Sequence, residues 1–217
     1  MDASGFVLSP LTEILVSRGG TEVFRLEPNA YIGMRLGILL IHTGDIDRYR
    51  AHCQAMLERW ASTEKNSEAE QTLKTIVFLP DFKADAKQLA RLAEIAASGD
   101  KNMAWFEWYL FAKGLHDYRT GKYADALATC RESRRRAPES KGEPQALATL
   151  SLAIEAMALH RSGDEAGAKR ALAEAKSNVE VYVLPIGGGW THDWLSAHIL
   201  YREAEGLIAG KKSEPPK

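Results

Sequence analysis

Four segments of this chain follow one pattern: HTGDIDRYRAHC, LPDFKADAKQLA, RTGKYADALATC and RSGDEAGAKRAL each place a turn before the start of a helix. The corresponding turn residues are Gly44, Asp81, Gly121 and Gly163, at offsets of 37, 40 and 42 residues. A unit of this length cannot bury its apolar face alone, so it must stack on its neighbours. The pattern predicts an all-α fold, an α-solenoid of about four helical hairpins closed by a C-terminal capping helix.

The third unit is the clearest. Leu110, Gly114 and Tyr118 lie on its first helix; Tyr123, Ala126, Cys130 and Ser133 follow the turn at Gly121; Pro138 ends the second helix. Gly114 and Ala126 are small where paired helices must approach closely, and a glycine at the turn carries no steric cost. Pro138 cannot continue a helix. In the fourth unit Leu152, Ala156 and Leu159 precede Gly163, and Ala168, Leu172 and Ala175 follow at same-face helical spacing. The first has Leu36, Gly37 and Leu40 before Gly44, then Tyr49, Cys53 and Met56. The second is less regular, with Leu73 and Val77 before Pro80-Asp81, then Ala86, Ala90 and Ala93.

These residues resemble the tetratricopeptide repeat, a unit of ~34 residues. The runs LGILLIHTGDIDRYRAHCQAMLERW, AKGLHDYRTGKYADALA and HDWLSAHILYREAEGLI are also similar to the C-terminal tetratricopeptide module of large bacterial serine/threonine kinases and β-propeller fusion proteins. The resemblance covers roughly residues 30–209. It implies a non-catalytic scaffold that binds a protein or peptide, in the setting of a bacterial signalling polypeptide. In such stacks the first helices line an inner groove. The groove-facing set here is Tyr31, Met34, Ile38 and Ile41; Trp108, Phe111, Leu115, Tyr118 and Arg119; and Leu150, Ala153, Met157 and Arg161. Chaperone-binding members hold an acidic peptide terminus with Lys, Asn and Arg at equivalent positions, whereas this chain has Met34, Ile38, Ala112 and Ile154. So apolar a wall has two readings: a groove filled by the chain's own elements, or one that receives a hydrophobic partner segment. A self-filled groove suits a self-assembly or intramolecular docking module with no separate ligand.

Composition excludes several classes. A net charge of −1 argues against a nucleic-acid-binding surface. The basic run Arg134 to Arg136 falls at a helix end, where cations complement the helix dipole. Cys53 and Cys130 occupy equivalent positions two units apart and read as unbonded core thiols. The start MDASGFVLSP lacks the basic region of a signal peptide, and the apolar run Leu36 to Ile41 is far short of the ~20 residues that span a bilayer. A cytoplasmic location without membrane insertion follows as the expectation.

Residues 1–29 do not fit the repeat and form an N-terminal arm beside the helical domain over 30–210; Ser9-Pro10 marks a helix start, Gly19-Gly20 a stop, and TEVFRLEP an extended segment. The cap helix carries a stripe of Trp194, Ala197, Tyr201, Ala204 and Ile208, with Arg202, Glu203 and Glu205 on its outer face. The tail KKSEPPK, residues 211–217, is too polar and proline-rich to fold. Between the fourth unit and the cap, VEVYVLPIGGGW reads as an extended loop over residues 179–190.

Catalytic and cofactor signals are weak. Gly187 to Gly189 lack a following Lys-Ser or Lys-Thr, so no phosphate cradle is expected. His192 and Asp193 read as first-turn residues of the cap helix, and His198 lies six residues on, off the i, i+4 spacing of a helical metal site. His42, His116 and His160 read as half-exposed residues near ends of first helices. No nucleophile elbow, zinc-type cysteine pair or dinucleotide fingerprint is present. The expectation is no enzyme, no cofactor and no metal.

Overall fold

A computed structural model of the chain describes residues 15–17, 23–25, 29–80, 82–181 and 191–210. Its helices pair across short turns in the expected order. Helices α1 (Ala30–His42) and α2 (Ile46–Trp60) meet at Gly44; α3 (Asn66–Val77) and α4 (Ala86–Ala97) flank Pro80. Helices α5 (Phe106–Arg119) and α6 (Tyr123–Arg136) meet at Gly121, and α7 (Pro144–Arg161) and α8 (Glu165–Val181) at Gly163. Helix α9 (Thr191–Ile208) follows alone. Gly44, Gly121 and Gly163 have φ of 74°, 79° and 85°, the left-handed region that side chains disfavour. Repeated turn chemistry therefore sets the helix reversal in three of the four hairpins. Within the third pair, a Cβ on Gly114 would sit 2.5 Å from Cys130 Sγ, which is why α5 and α6 pack so closely there.

Helices α1, α3, α5, α7 and α9 form an inner row in which each touches the next. The row closes on itself, because α9 also packs against α1. Helices α2, α4, α6 and α8 brace the row from outside, each touching two of its members. One core runs through the ring and joins Ile38 and Ile41 of α1, Phe111 and Leu115 of α5, and Trp194 and Leu200 of α9. A second, smaller cluster joins Leu152 and Ala156 of α7, Ala171 and Ala175 of α8, and Tyr201 of α9.

This closure changes the role of α9. It is buried on more than one stripe, and Glu203 of its expected outer face turns inward to Arg119. A terminal cap packs on the last hairpin, here α7 and α8, whereas this helix also meets α1 at the other end of the row. Val179 and Val181 are also helical rather than extended: α8 runs on to Val181, with Val179 four residues beyond buried Ala175 and packed on the second cluster. Packing of Val179 offsets the weak helix preference of a β-branched residue, while Val181 at the helix end is exposed. The rest of the expected loop, 182–190, lies outside the described residues, as does the tail 211–217.

In the arm, Leu15–Ser17 (β1) pairs antiparallel with Val23–Arg25 (β2), in the register Leu15↔Arg25, Val16↔Phe24 and Ser17↔Val23. The extended reading holds for Val23–Arg25, but the helix expected after Pro10 does not extend over Leu15–Ser17, where cross-strand pairing suits Leu15 and Val16. In α4 the buried residues are Leu92, Ala93 and Ala96; Ala86 is exposed and Ala90 half-buried, so the packing stripe lies toward the C-terminal side of the expected one. Cys53 and Cys130 are free and buried.

Candidate functional site: a charged recess at one rim of the ring

The first turns of α1, α5 and α9 and one face of α3 lie together at one rim. Tyr31 and Met34 from α1, Glu70 and Lys74 from α3, Trp108 and Tyr109 from α5, and His192 and Asp193 from α9 line one recess of about 390 Å³. Ser67, Gln71 and Trp105 complete its wall. A volume of this order is at the lower end of the ~300–1,000 Å³ of small-ligand pockets.

Helix α3 contributes the charges. Glu70 and Lys74 are one helical turn apart, both buried, with Lys74 Nζ 2.5 Å from Glu70 Oε1. The ammonium also lies 5.1 Å from the Trp108 ring centroid, over its π face. Burial raises the Glu70 pKa while Lys74 opposes the rise. Removing either member would strand the other as an uncompensated buried charge.

Helix α9 contributes a second carboxyl. Asp193 is only 5% exposed, and its pKa is pushed up to about 7. Burial is the main cause; Glu70 and Glu143 add to it, and Lys74 and Arg35 oppose it. His192 Nε2 lies 3.3 Å from Asp193 Oδ1, yet burial, Lys74 and Arg35 hold the imidazole pKa down at about 3. At neutral pH the imidazole is therefore uncharged and gives Asp193 no counter-ion. The Tyr31 ring meets His192 edge-on, with centroids 5.6 Å apart, and Arg35 lies 5.6 Å from the Tyr31 centroid.

The tryptophans are held by their backbone setting. Trp108 Nε1 donates to Ser140 Oγ at 3.0 Å. A Cβ on Gly142 would lie 2.8 Å from Trp105 and 3.3 Å from Trp108 Nε1, so only glycine lets this loop approach both indoles as closely. Trp105, just before α5, has φ of 73° and is the one positive-φ non-glycine residue among those described. A bulky residue in that region stores strain, and such outliers cluster at ligand-binding and switch sites.

Of the residues expected to line a groove, Tyr31, Met34 and Trp108 reach the recess. Ile38, Ile41, Phe111, Leu115, Tyr118 and Met157 are instead buried in the main core, which they share with Trp194 and Leu200 of α9. Leu150 and Ala153 share that core. Arg161 is exposed. Arg119 is part-buried at the opposite rim, where Nε donates to Val77 O at 2.9 Å, Nη2 to Phe78 O at 2.6 Å, and both terminal nitrogens contact Glu203. His192 and Asp193 are more than first-turn residues, and His116 is buried rather than half-exposed. Glu70 and Lys74 escaped the sequence reading, although they continue the stripe of Leu73 and Val77; opposite charges one turn apart on an apolar stripe were the available signal.

Among the described residues, no group of three or more His, Cys, Asp or Glu side chains is arranged to hold a metal, and no helix is long and apolar enough to cross a membrane. Comparison with protein-family models, curated proteins and solved structures found no match.

Proposed function

We propose that this chain is a non-catalytic binding module built from tetratricopeptide-type hairpins, and that it engages its partner at the rim recess. Equivalent left-handed glycines at three turns and small residues at the helix contacts support the repeat reading. The proposed setting is a cytoplasmic bacterial signalling polypeptide, and the proposed partner is a protein or peptide. The observation that carries the binding site is closure by α9: with the inner wall used as core, the recess between Tyr31, Trp108 and Asp193 is a concave surface that the described inner helices still offer a partner.

A photo-crosslinking residue at Gln71, on the recess wall, should give a partner adduct that the same residue at exposed Ala124 does not. The purified partner should then lose binding to a Trp108→Ala variant that keeps its helicity. Equal labelling at both positions would end this reading. A second reading, an intramolecular docking module without a separate ligand, draws on the burial of Trp194 and Leu200 of α9 inside the ring.

A further inference from the structure

Charge within the recess is unbalanced. Its lining holds two carboxyl groups, Glu70 and Asp193, but one cation, Lys74. That cation is committed, paired with Glu70 at 2.5 Å and seated over Trp108. His192 is neutral at physiological pH, and Arg35 stacks on Tyr31 without lining the recess. An anion entering this space would meet both carboxyls, with Lys74 already neutralised. A cation would meet a buried acceptor lacking a full counter-charge and four aromatic side chains in the lining, the two features that recognise organic ammonium groups.

We propose that the recess takes an aliphatic ammonium group, carried by a free alkylamine or by a lysine side chain, with Asp193 as its counter-charge and Tyr31, Trp105, Trp108 and Tyr109 as its walls. This rests on the reading of the recess as the binding site. The positive ends of the α1, α5 and α9 dipoles stand at the same rim and favour carboxylates over cations. At Asp193 burial works the other way and raises the carboxyl pKa to about 7. Asp193 faces Lys74 and Glu70 from α3, Arg35 from α1, Glu143 before α7 and His192 on its own helix. An ammonium bound beside it lowers its pKa, so binding at neutral pH releases a proton. The ligand itself stays charged, since alkylamines titrate near ~10.4. Affinity therefore rises with pH across the range around pH 7 and levels off above it.

The test is a titration of the full chain with n-butylammonium chloride and with Nα-acetyl-lysine methylamide, against n-butanol and sodium butyrate as neutral and anionic matches. Tryptophan fluorescence reports binding, and calorimetry in buffers of differing ionisation enthalpy reports the proton. The expected result is saturable binding of the two ammonium probes only, weakened at least about tenfold in Asp193→Asn. Tighter binding of the lysine derivative identifies a polypeptide lysine as the source, and tighter binding of butylammonium a free amine. Should Asp193→Asn fold poorly, proton release and the rise in affinity with pH in the unaltered protein decide the matter. Butanol or butyrate binding as well as butylammonium, and lost in Trp108→Ala, would overturn the ammonium inference while leaving the recess as the binding site. Failure of every probe to bind would overturn the inference too, and the crosslinking experiment would judge the recess separately.

Discussion

At one rim of the ring, the Arg119 guanidinium donates to the last carbonyls of α3 and pairs with Glu203; at the other, two carboxyls share one lysine around an open recess. Both rims bury charge, and both are built from ends of the same inner helices. At the Arg119 rim, donors meet acceptors in a bidentate geometry that also satisfies helix-end carbonyls. At the recess rim, a neutral histidine and a half-protonated aspartate leave the arrangement incomplete. Buried polar groups that are fully matched hold a fold together, and perturbed ones beside a cavity mark a site.

The strongest way to break this contrast is Arg119→Ala. Loss of the guanidinium leaves Glu203 and two helix-end carbonyls without their partner, and stability should fall by about 3–5 kcal/mol in denaturant unfolding. A loss below about 1 kcal/mol would mean that this rim is not the lock described here.

Asp193→Asn should act in the opposite direction. A carboxyl whose folded pKa is raised keeps its proton in the native state while the unfolded chain releases it. The native state therefore loses relative stability as pH rises from about 4 to about 7, with no further change above. Depressed His192 has the opposite slope, rising from about pH 3 to its ordinary value of 6.5, but it is present in both proteins. The stability of Asp193→Asn relative to the unaltered chain should thus grow by roughly 1–3 kcal/mol between about pH 5 and about pH 8. Parallel pH profiles for the two proteins would show that Asp193 carries no buried-charge penalty.

The smallest effect sharpens the comparison on the recess side. Gly142→Ala adds a Cβ that both indoles must move to accommodate, which should cost about 1–2 kcal/mol and shift tryptophan emission. Unchanged emission would show that the indoles are not held against this loop.

The hairpins were legible because their signals are local. A left-handed turn requires glycine at Gly44, Gly121 and Gly163, and close helix contact requires a small residue at Gly114, so each position announces itself. In α4 the apolar residues are mostly alanine, which suits several helix faces, and the packing stripe of Leu92, Ala93 and Ala96 shares only Ala93 with the expected Ala86, Ala90 and Ala93. Ile38, Phe111 and Leu115 are apolar in any reading, but the core they share with Trp194 and Leu200 requires α9 to return to α1 from far along the chain. No local pattern encodes that contact. The recess inherits the difficulty: Glu70 with Lys74 looks like any solvated i, i+4 pair until α1 and α5 pack against α3 and α9 brings His192 and Asp193 into the same recess.

The contact between α9 and α1 also bears on cooperativity and on growth. An open repeat array loses terminal units one at a time and lengthens by duplication, since each unit answers only to its neighbours. A closed ring has no terminal unit to fray, so loosening any one inner helix exposes the seam of two others. Its circumference is fixed as well: a further hairpin inserted into the row would separate α9 from α1 and open the interior to water. Variation in such a molecule is therefore confined to the rims and the outer helices.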